Sequence, residues 1–448
     1  MRILLISPNT LTEPYPVYPI GLDYVSGAVD PRHEVRIVDL NTMSLRELDA
    51  LLVAYKPQVV GISCRNIDNT DEGESRSFTR SYRSLINRIR GCCRAVIVCG
   101  GAGFTIMPDR IFAALNPDYG IIGEGERFGL LVEALDKGLD PARVEGVISS
   151  PGAHTPPEPW PGKRIRAFCK EASHHRFYTS RGGMLNLQTK RGCAFSCLYC
   201  PYPHIEGAKH RLYDPETVAD TAKQLQEAGA RYIFITDSAF NSDIGHSLAV
   251  ARAMRRAGIT VPWGGFFAPV RLPGDYFRVM ADCGLTHAEF GTESLSVSML
   301  KTYRKPFTPE HVFAAHAAAR KAGIHTAHYF LLGGPGESRA TVRESLDNIE
   351  KLDRVVLFFF IGIRIYPWTG LYRTALDEGQ IDPDTDLLEP MFYRAEGISR
   401  DELEQMVLEQ AGGRPNWIVG SGGERSAQIV ARLHERGLAG PLWEFLAR

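Results

Sequence analysis

Residues 184–200 read Met184-Leu185-Asn186-Leu187-Gln188-Thr189-Lys190-Arg191-Gly192-Cys193-Ala194-Phe195-Ser196-Cys197-Leu198-Tyr199-Cys200. The opening apolar run predicts a strand over 184–190, and three cysteines sit on the loop that leaves it. Their spacing is Cys-x3-Cys-x2-Cys. Thiolates are the soft ligands that iron–sulfur clusters need. Three of them hold three irons of a cubane and leave the fourth open to a small molecule. The competing reading is a zinc knuckle. A structural zinc site takes four ligands, usually from two paired turns. His204 or His210 would be the fourth, but no second paired turn follows.

Downstream, strands are predicted near 232–238, 260–268, 287–294, 325–334 and 355–367, with helical patterns between them. Asp214 and Pro215 open one helix as cap and first residue, and Thr308-Pro309-Glu310 opens another. Six βα units fall two short of an eight-fold barrel. Residues 184–370 therefore read as an open, partial (β/α)6 TIM-type barrel with room for a large cofactor. Residues 371–448 read as a small, mostly helical region that either lids the site or completes the barrel.

Upstream, apolar β-branched runs at 2–7, 34–40, 58–64, 95–100 and 119–124 alternate with helices. The clearest helix opens at Ser44 with Glu47 three residues on, a capping box, and stops before Pro57. The alternation predicts an α/β domain over 1–145, a doubly wound parallel sheet of Rossmann or flavodoxin-like type. Ligands of such sheets bind at the carboxyl ends of the strands. The loops there carry Asn9, Arg65-Asn66, Gly100-Gly101-Ala102-Gly103-Phe104-Thr105 and Gly123-Glu124-Gly125-Glu126. Glycines let a backbone approach a large flat ligand, or simply make turns. They follow the fourth strand rather than the first, and no Walker lysine is present, so a phosphate loop is disfavoured. Residues 146–183 are rich in Pro, His and Arg and read as a linker. No Cys or carboxylate is spaced with His174-His175 as a ligand set, so both are expected to be solvated.

The 448 residues allow two or three domains, and 44% are apolar. A formal net charge of -1 gives no reason to expect nucleic acid as a partner. No apolar run reaches about 18 residues, so no membrane span is expected. Nine cysteines at uneven spacing argue for a reducing cytoplasm. Cys64, Cys92, Cys93, Cys99, Cys169 and Cys283 are scattered, and Cys99 and Cys283 lie in apolar contexts suited to packing.

The cysteine loop, with an aromatic just before its last Cys and a βα barrel after it, resembles the radical SAM enzymes. The resemblance covers about residues 184–370. It implies a 4Fe-4S cluster on Cys193, Cys197 and Cys200 that reductively cleaves S-adenosylmethionine. It also implies S-adenosylmethionine contacts from Asp237 and Ser238, from Glu293, from Arg304, and from Gly333, Gly334 and Arg364 at the later strand ends. Asp237 and Glu293 as helix caps, and Gly333–Gly336 as a tight turn, are the plainer readings. A doubly wound domain before such a barrel resembles the cobalamin-binding branch of that family. Asn9, Arg65, Asn66, Gly100, Gly101, Gly103, Thr105 and Gly123 to Glu126 then become corrinoid contacts. The branch's Asp-x-His-x-x-Gly is missing after the first strand, so no His from that loop reaches cobalt, and Arg65 would face the lower side.

The resemblance implies a small-molecule substrate, in a cavity between the domains, and an electron donor such as flavodoxin or ferredoxin. Tyr329 and Tyr366 are the catalytic candidates, with Trp263, Phe266 and Phe267 as further lining or as core. Methylation of a substrate carbon through methylcobalamin is the leading expectation. The alternatives are a non-methylating radical cyclisation, rearrangement or oxidation, a polar methyl transfer, and a non-enzymatic metal- or corrinoid-binding module.

Overall fold

Apolar β-branched runs of five or six residues pair where both faces can be covered by helices, and this chain does so twice. The computed structural model describes residues 1–12, 15–152, 154, 156–168, 173–420 and 423–447. Cys169 lies outside the described residues. The chain forms two units. The first is Met1–Leu11, Tyr18–Asn69 and Ser75–Phe177; the second is Thr12–Val17, Thr70–Glu74 and Tyr178–Arg448.

The first unit holds strands β1 (Arg2–Ser7), β2 (Glu34–Asp39), β3 (Val59–Ser63), β4 (Val96–Gly100), β5 (Tyr119–Ile121) and β6 (Val147–Ile148). Their order is β2-β1-β3-β4-β5-β6. The first five are parallel, and this is the flavodoxin-like order, with its carboxyl edge free for ligands. Ile3, Leu5, Val59, Val98 and Phe128 pack its core. The capping box at Ser44 and Glu47 opens helix Leu45–Tyr55. β6 pairs antiparallel to β5 from within the Pro-rich stretch that read as linker.

That stretch also buries the histidine pair. His174 and His175 are 6% and 5% exposed, not solvated. The cause lies far away in sequence: His174 Nε2 lies 3.2 Å from the Tyr18 hydroxyl, which donates to Asp23 at 2.9 Å, and Asp23 pairs with Arg166. Burial holds the His174 imidazole down at about 4. An unfolded His titrates near 6.5. Between these values the unfolded chain binds a proton that the folded chain refuses, so stability falls as pH drops from about 6.5 to about 4. The loss reaches ~3 kcal/mol at the lower end. His174→Gln is expected to flatten this slope in denaturant melts compared at neutral and acid pH. An unchanged slope would count against the assignment.

The second unit holds β7 (Met184–Leu187), the two-stranded ladder of β8 (Lys190–Arg191) and β9 (Arg211–Leu212), then β10 (Tyr232–Ile235), β11 (Trp263–Phe267), β12 (Leu285–Glu293), β13 (His325–Leu332) and β14 (Val355–Ile361). A second ladder joins β15 (Ile363–Arg364) to β16 (Phe392–Tyr393), and β17 (Trp417–Val419) follows. The main sheet runs β17-β14-β13-β12-β11-β10-β7, all parallel. Six strands stand where the sequence puts them. The seventh comes from the region read as mostly helical. Asp214 caps helix Pro215–Glu227 with Pro215 at its first position, as expected.

Phe330, Leu332, Leu346, Phe359 and Leu403 fill the layer between the main sheet and its helices. Trp263 and Phe267 are 0% and 1% exposed and belong to the packed core rather than to a cavity wall. On alternate positions Phe266, Tyr329 and Phe358 are only partly buried, and the Tyr329 and Phe358 rings stack at 4.8 Å and 11°. Trp443 of the C-terminal 3-10 helix Trp443–Ala447 packs with Ala327, Val356 and Ile418 and donates its indole N–H to Glu289 Oε1 at 3.0 Å. Among the described residues, no helix is long and apolar enough to cross a membrane.

Candidate functional site

The cysteine loop starts from a buried brace. Lys190 and Asp237 are each 1% exposed and pair at 3.3 Å. Asp237 Oδ1 also accepts the Thr189 N–H at 2.8 Å, Oδ2 accepts the Thr189 hydroxyl, and Lys190 donates to the Ala239 carbonyl at 2.7 Å. Both Asp237 oxygens are thus used to fix the strand end from which Arg191, Gly192 and Cys193 depart. Asp237 is not a helix cap; Asp243 caps the helix that follows. Its neighbour Ser238 has a buried hydroxyl oxygen with no hydrogen-bond partner. An orphaned hydroxyl at a barrel strand end is a ready contact for a polar ligand.

Cys193, Cys197 and Cys200 are free thiols close enough to influence one another electrostatically. Burial pushes the Cys200 thiol up to about 12 and raises that of Cys197, against which Lys305 works. Such thiols give up their protons to a metal rather than to solvent. Among the described residues, no three His, Cys, Asp or Glu side chains converge on a single ion. A cubane needs no such convergence, because each thiolate binds a different iron.

Lys305, the neighbour of Arg304, reaches this loop with its ammonium group. Its Nζ lies 3.8 Å from Cys197 Sγ, 3.3 Å from the Tyr199 hydroxyl and 3.2 Å from Glu293 Oε1. Burial would lower its basicity, but Glu293 and Cys197 carry it above the ordinary lysine value. Arg304 is exposed, with a left-handed φ of +56°, and its guanidinium lies beside Gly370.

Glu293 is aimed inward by a bulge. The β12–β13 register slips between Gly291 and Glu293, and Glu293 has a φ of +64°. A bulge re-aims the side chain that follows it. Thr292 is held on the opposite side by His328 Nδ1 at 2.7 Å, and His328 Nε2 lies 3.1 Å from His316 Nδ1. Glu293 therefore does not cap helix Val297–Thr302; Ser296 stands at the N-cap position, and Glu344 accepts from the Val297 N–H at 3.2 Å.

At the end of β13, Gly333 and Gly336 take φ of +92° and +77°. Gly334 leaves room for the Tyr303 ring, which a Cβ would meet at 2.4 Å. Glu337 accepts from the Gly333 N–H and the Tyr303 hydroxyl, each at 3.3 Å, and closes the turn. Arg364 is 4% exposed and spends its guanidinium on the Ile365 and Leu387 carbonyls, each at 2.6 Å. Tyr366 lies under that guanidinium, 4.9 Å from ring centroid to Cζ. Tyr329 donates to Glu289 Oε2 at 2.7 Å, and burial raises the Glu289 carboxyl.

In the first unit the loops at the carboxyl ends of β3, β4 and β5 come together. Gly103 N–H donates to the Arg65 carbonyl, and a Cβ at Gly103 would meet the Cys64 carbonyl oxygen at 2.8 Å. The glycine run thus brings the start of helix Ala102–Ile106 onto the β3 loop. Thr105 donates to the Gly101 carbonyl and accepts from the Gly123 N–H at 2.9 Å, tying two loops together. Glu124 accepts from Trp160 N–H, and Glu126 is buried. Gly100, Gly101, Gly123, Gly125, Asn9 and Asn66 remain partly exposed, and Arg65 is exposed. This leaves an open, small-residue edge for a large planar ligand.

Known families match both parts of the chain. The B12 binding domain family matches residues 6–130, and the radical SAM superfamily matches residues 187–349. The tryptophan 2-C-methyltransferase of Streptomyces laurentii is 25% identical, covering 84% of this chain and 74% of its own. The cytidylyl-2-hydroxyethylphosphonate methyltransferase of Streptomyces wedmorensis is 24% identical, covering 86% and 84%. The radical S-adenosylmethionine methyltransferase TsrM of Kitasatospora setae, solved with tryptophan substrate and a SAM analogue, shares the fold with a TM-score of 0.85. It is 21% identical and covers 100% of this chain and 98% of its own. A B12-binding domain followed by a radical SAM domain places the chain among the cobalamin-dependent radical SAM enzymes.

Proposed function

We propose that this enzyme methylates a carbon atom of a small molecule. One observation carries the reading. A single chain presents three thiols on a partial barrel and a glycine-opened carboxyl edge on a doubly wound sheet, and relatives named methyltransferases align over more than four fifths of it. When bound, the cluster with S-adenosylmethionine supplies a hydrogen-abstracting radical, and methylcobalamin supplies the methyl group. The chain's residues bind, orient and exclude water. Lys305 offers a cation to the methionine carboxylate, and Ser238 and Glu293 offer polar contacts. Gly333 and Gly334 shape the β13 turn, which Glu337 and Tyr303 close, and adenosine would meet that turn from outside. The β1 loop carries no His, and Arg65, exposed after β3, would be the side chain available to the lower side of a bound corrinoid. Phe266, Tyr329 and Phe358 give the sheet's partly exposed face an apolar lining that keeps water from a radical, and Tyr366 completes the strand-end surface.

Anaerobic turnover with methyl-labelled S-adenosylmethionine tests this. Label in the product, with deoxyadenosine formed, is the expected result. Deoxyadenosine without label transfer would replace methylation with a cyclisation, rearrangement or oxidation. Label transfer without deoxyadenosine would point to a polar mechanism.

A further inference from the structure

Two buried imidazoles stand behind the site without touching the cysteine loop. His328 of β13 is 0% exposed, and His316, on helix Pro309–Lys321, is 2% exposed. His316 Nε2 lies 3.1 Å from the Asp353 carbonyl oxygen and 3.5 Å from the Asp353 carboxylate. A carbonyl oxygen only accepts, so Nε2 carries the proton. Burial lowers both imidazoles below the ordinary histidine value and keeps them neutral. His316 Nδ1 is then bare. It accepts from His328 Nε2 at 3.1 Å, with the Thr326 hydroxyl at 3.4 Å as a second donor. His328 Nδ1 is bare in turn and accepts from the Thr292 hydroxyl at 2.7 Å. One carbonyl thus sets the direction of three successive hydrogen bonds, which end on Thr292. Every imidazole nitrogen has a partner, the condition under which a buried polar chain fixes a single geometry.

Thr292 is the residue that needs fixing. Phe290 pairs with His328, Gly291 with Tyr329 and Glu293 with Phe330, so Thr292 is the extra residue of the bulge and has no partner across the ladder. Its carbonyl accepts from the Ser294 N–H at 2.8 Å, which closes a three-residue turn around Glu293. A γ-turn with a positive central φ is rare and strained, and Glu293 stands at its centre with φ of +64°. Such a conformation persists where its surroundings over-determine it, and it marks sites of use. Downstream, the Ser294 hydroxyl accepts from the Ser296 N–H at 3.1 Å, and the Ser345 hydroxyl accepts from the Leu295 N–H at 2.9 Å. Upstream, the Thr292 hydroxyl anchors the turn on His328, whose ring stacks on Phe290 at 4.9 Å and 27°. The turn held from both ends delivers Glu293 to Lys305, beside Cys197.

We propose that Thr292 and His328, with His316 behind them, are positioning residues for S-adenosylmethionine: they hold the turn that presents Glu293 to it. They act through Glu293 and make no contact of their own with the bound molecule. The inference rests on the polar contact between Glu293 and S-adenosylmethionine, not on methyl transfer.

The test uses the full-length protein with its cluster loaded and oxidised, so that S-adenosylmethionine binds without being cleaved, and reads the Kd by anaerobic calorimetry. Thr292→Val keeps the shape of the side chain and removes the hydroxyl; its Kd is expected to rise about tenfold, the size of a coupling within one hydrogen-bonded network. Thr292→Ser restores the hydroxyl and should bind within about twofold of wild type. Glu293→Gln weakens binding as well, and in that background Thr292→Val should add less than about twofold, because both changes remove the same contact. His328→Leu is expected to match Thr292→Val, which decides alone if His328→Leu does not fold. A Glu293→Gln protein that binds weakly beside a Thr292→Val protein that binds normally would overturn the inference and leave the Glu293 contact standing. Unchanged affinity in Glu293→Gln would remove that contact, and the inference with it. An undiminished loss from Thr292→Val in the Glu293→Gln background would also overturn it, since the hydroxyl would then act by another route.

Discussion

Cys197→Ala is expected to purify anaerobically without a stable cluster and to cleave S-adenosylmethionine at a rate below detection. In a three-cysteine site each thiolate would hold its own iron, so losing one leaves an iron without its protein ligand. Iron content should fall from about four per chain to below about one. The fold should survive. Cys197 lies on a loop and is only partly buried, and substitutions at such positions shift stability by about 0.5 kcal/mol or less. Cys283→Ala is the control: a buried cysteine away from the loop, whose loss leaves iron unchanged. Iron and acid-labile sulfide, with a melting curve for each variant, check both parts. A Cys197→Ala protein that keeps its full complement of iron would refute the ligand assignment.

Trp443→Ala should be among the most destabilising single changes in the second unit. The ring is 5% exposed and packs edge-on against His287 with centroids 5.1 Å apart. Truncating a buried tryptophan costs about 3–5 kcal/mol. The change also takes one of two side-chain donors from Glu289, a carboxyl with no exposed surface that burial already raises, and leaves only Tyr329. An unmet buried acceptor adds about 1–3 kcal/mol. The two terms overlap, so a net loss of about 4 kcal/mol and a fall in Tm of about 10 °C are expected. Trp443→Phe keeps the ring and loses only the N–H, so it should recover more than half of the difference. A Trp443→Ala protein that melts within about 2 °C of wild type would show that the C-terminal 3-10 helix is not part of the core.

The thirteen strands of the two main sheets were not equally readable. The first five of one and the first six of the other announce themselves because most are continuous apolar runs buried on both faces, and the edge strand β2 alternates apolar and polar residues instead. β17 and β6 do not. Trp417-Ile418-Val419 and Val147-Ile148 are too short to carry a period, and only the neighbouring strand gives them a place. The cysteines are legible because their spacing is local. His174 is not, because the partner that buries it is 156 residues away. Asp237 shows the same limit. Its position at a strand end suggests a ligand contact, but Thr189 and Lys190, nearly fifty residues earlier, occupy both of its oxygens. Lys305 and Arg304 are adjacent cations, and no pattern of residue types records that Lys305 is the one beside Cys197.

Two short stretches from the first half of the chain, Thr12–Val17 and Thr70–Glu74, belong to the second unit. Tyr15 there packs on Phe234 of β10 with ring centroids 6.5 Å apart, and a Cβ at Gly362 would meet Glu72. On the ribosome these stretches emerge long before their partners, so the first unit can close its own sheet while two of its loops wait for the barrel to be made. Neither half is therefore a self-sufficient gene product. A cut at residue 178 would deprive the barrel of pieces encoded more than a hundred codons upstream, and exchanging one half for that of a relative would have to carry those two loops with the barrel that uses them.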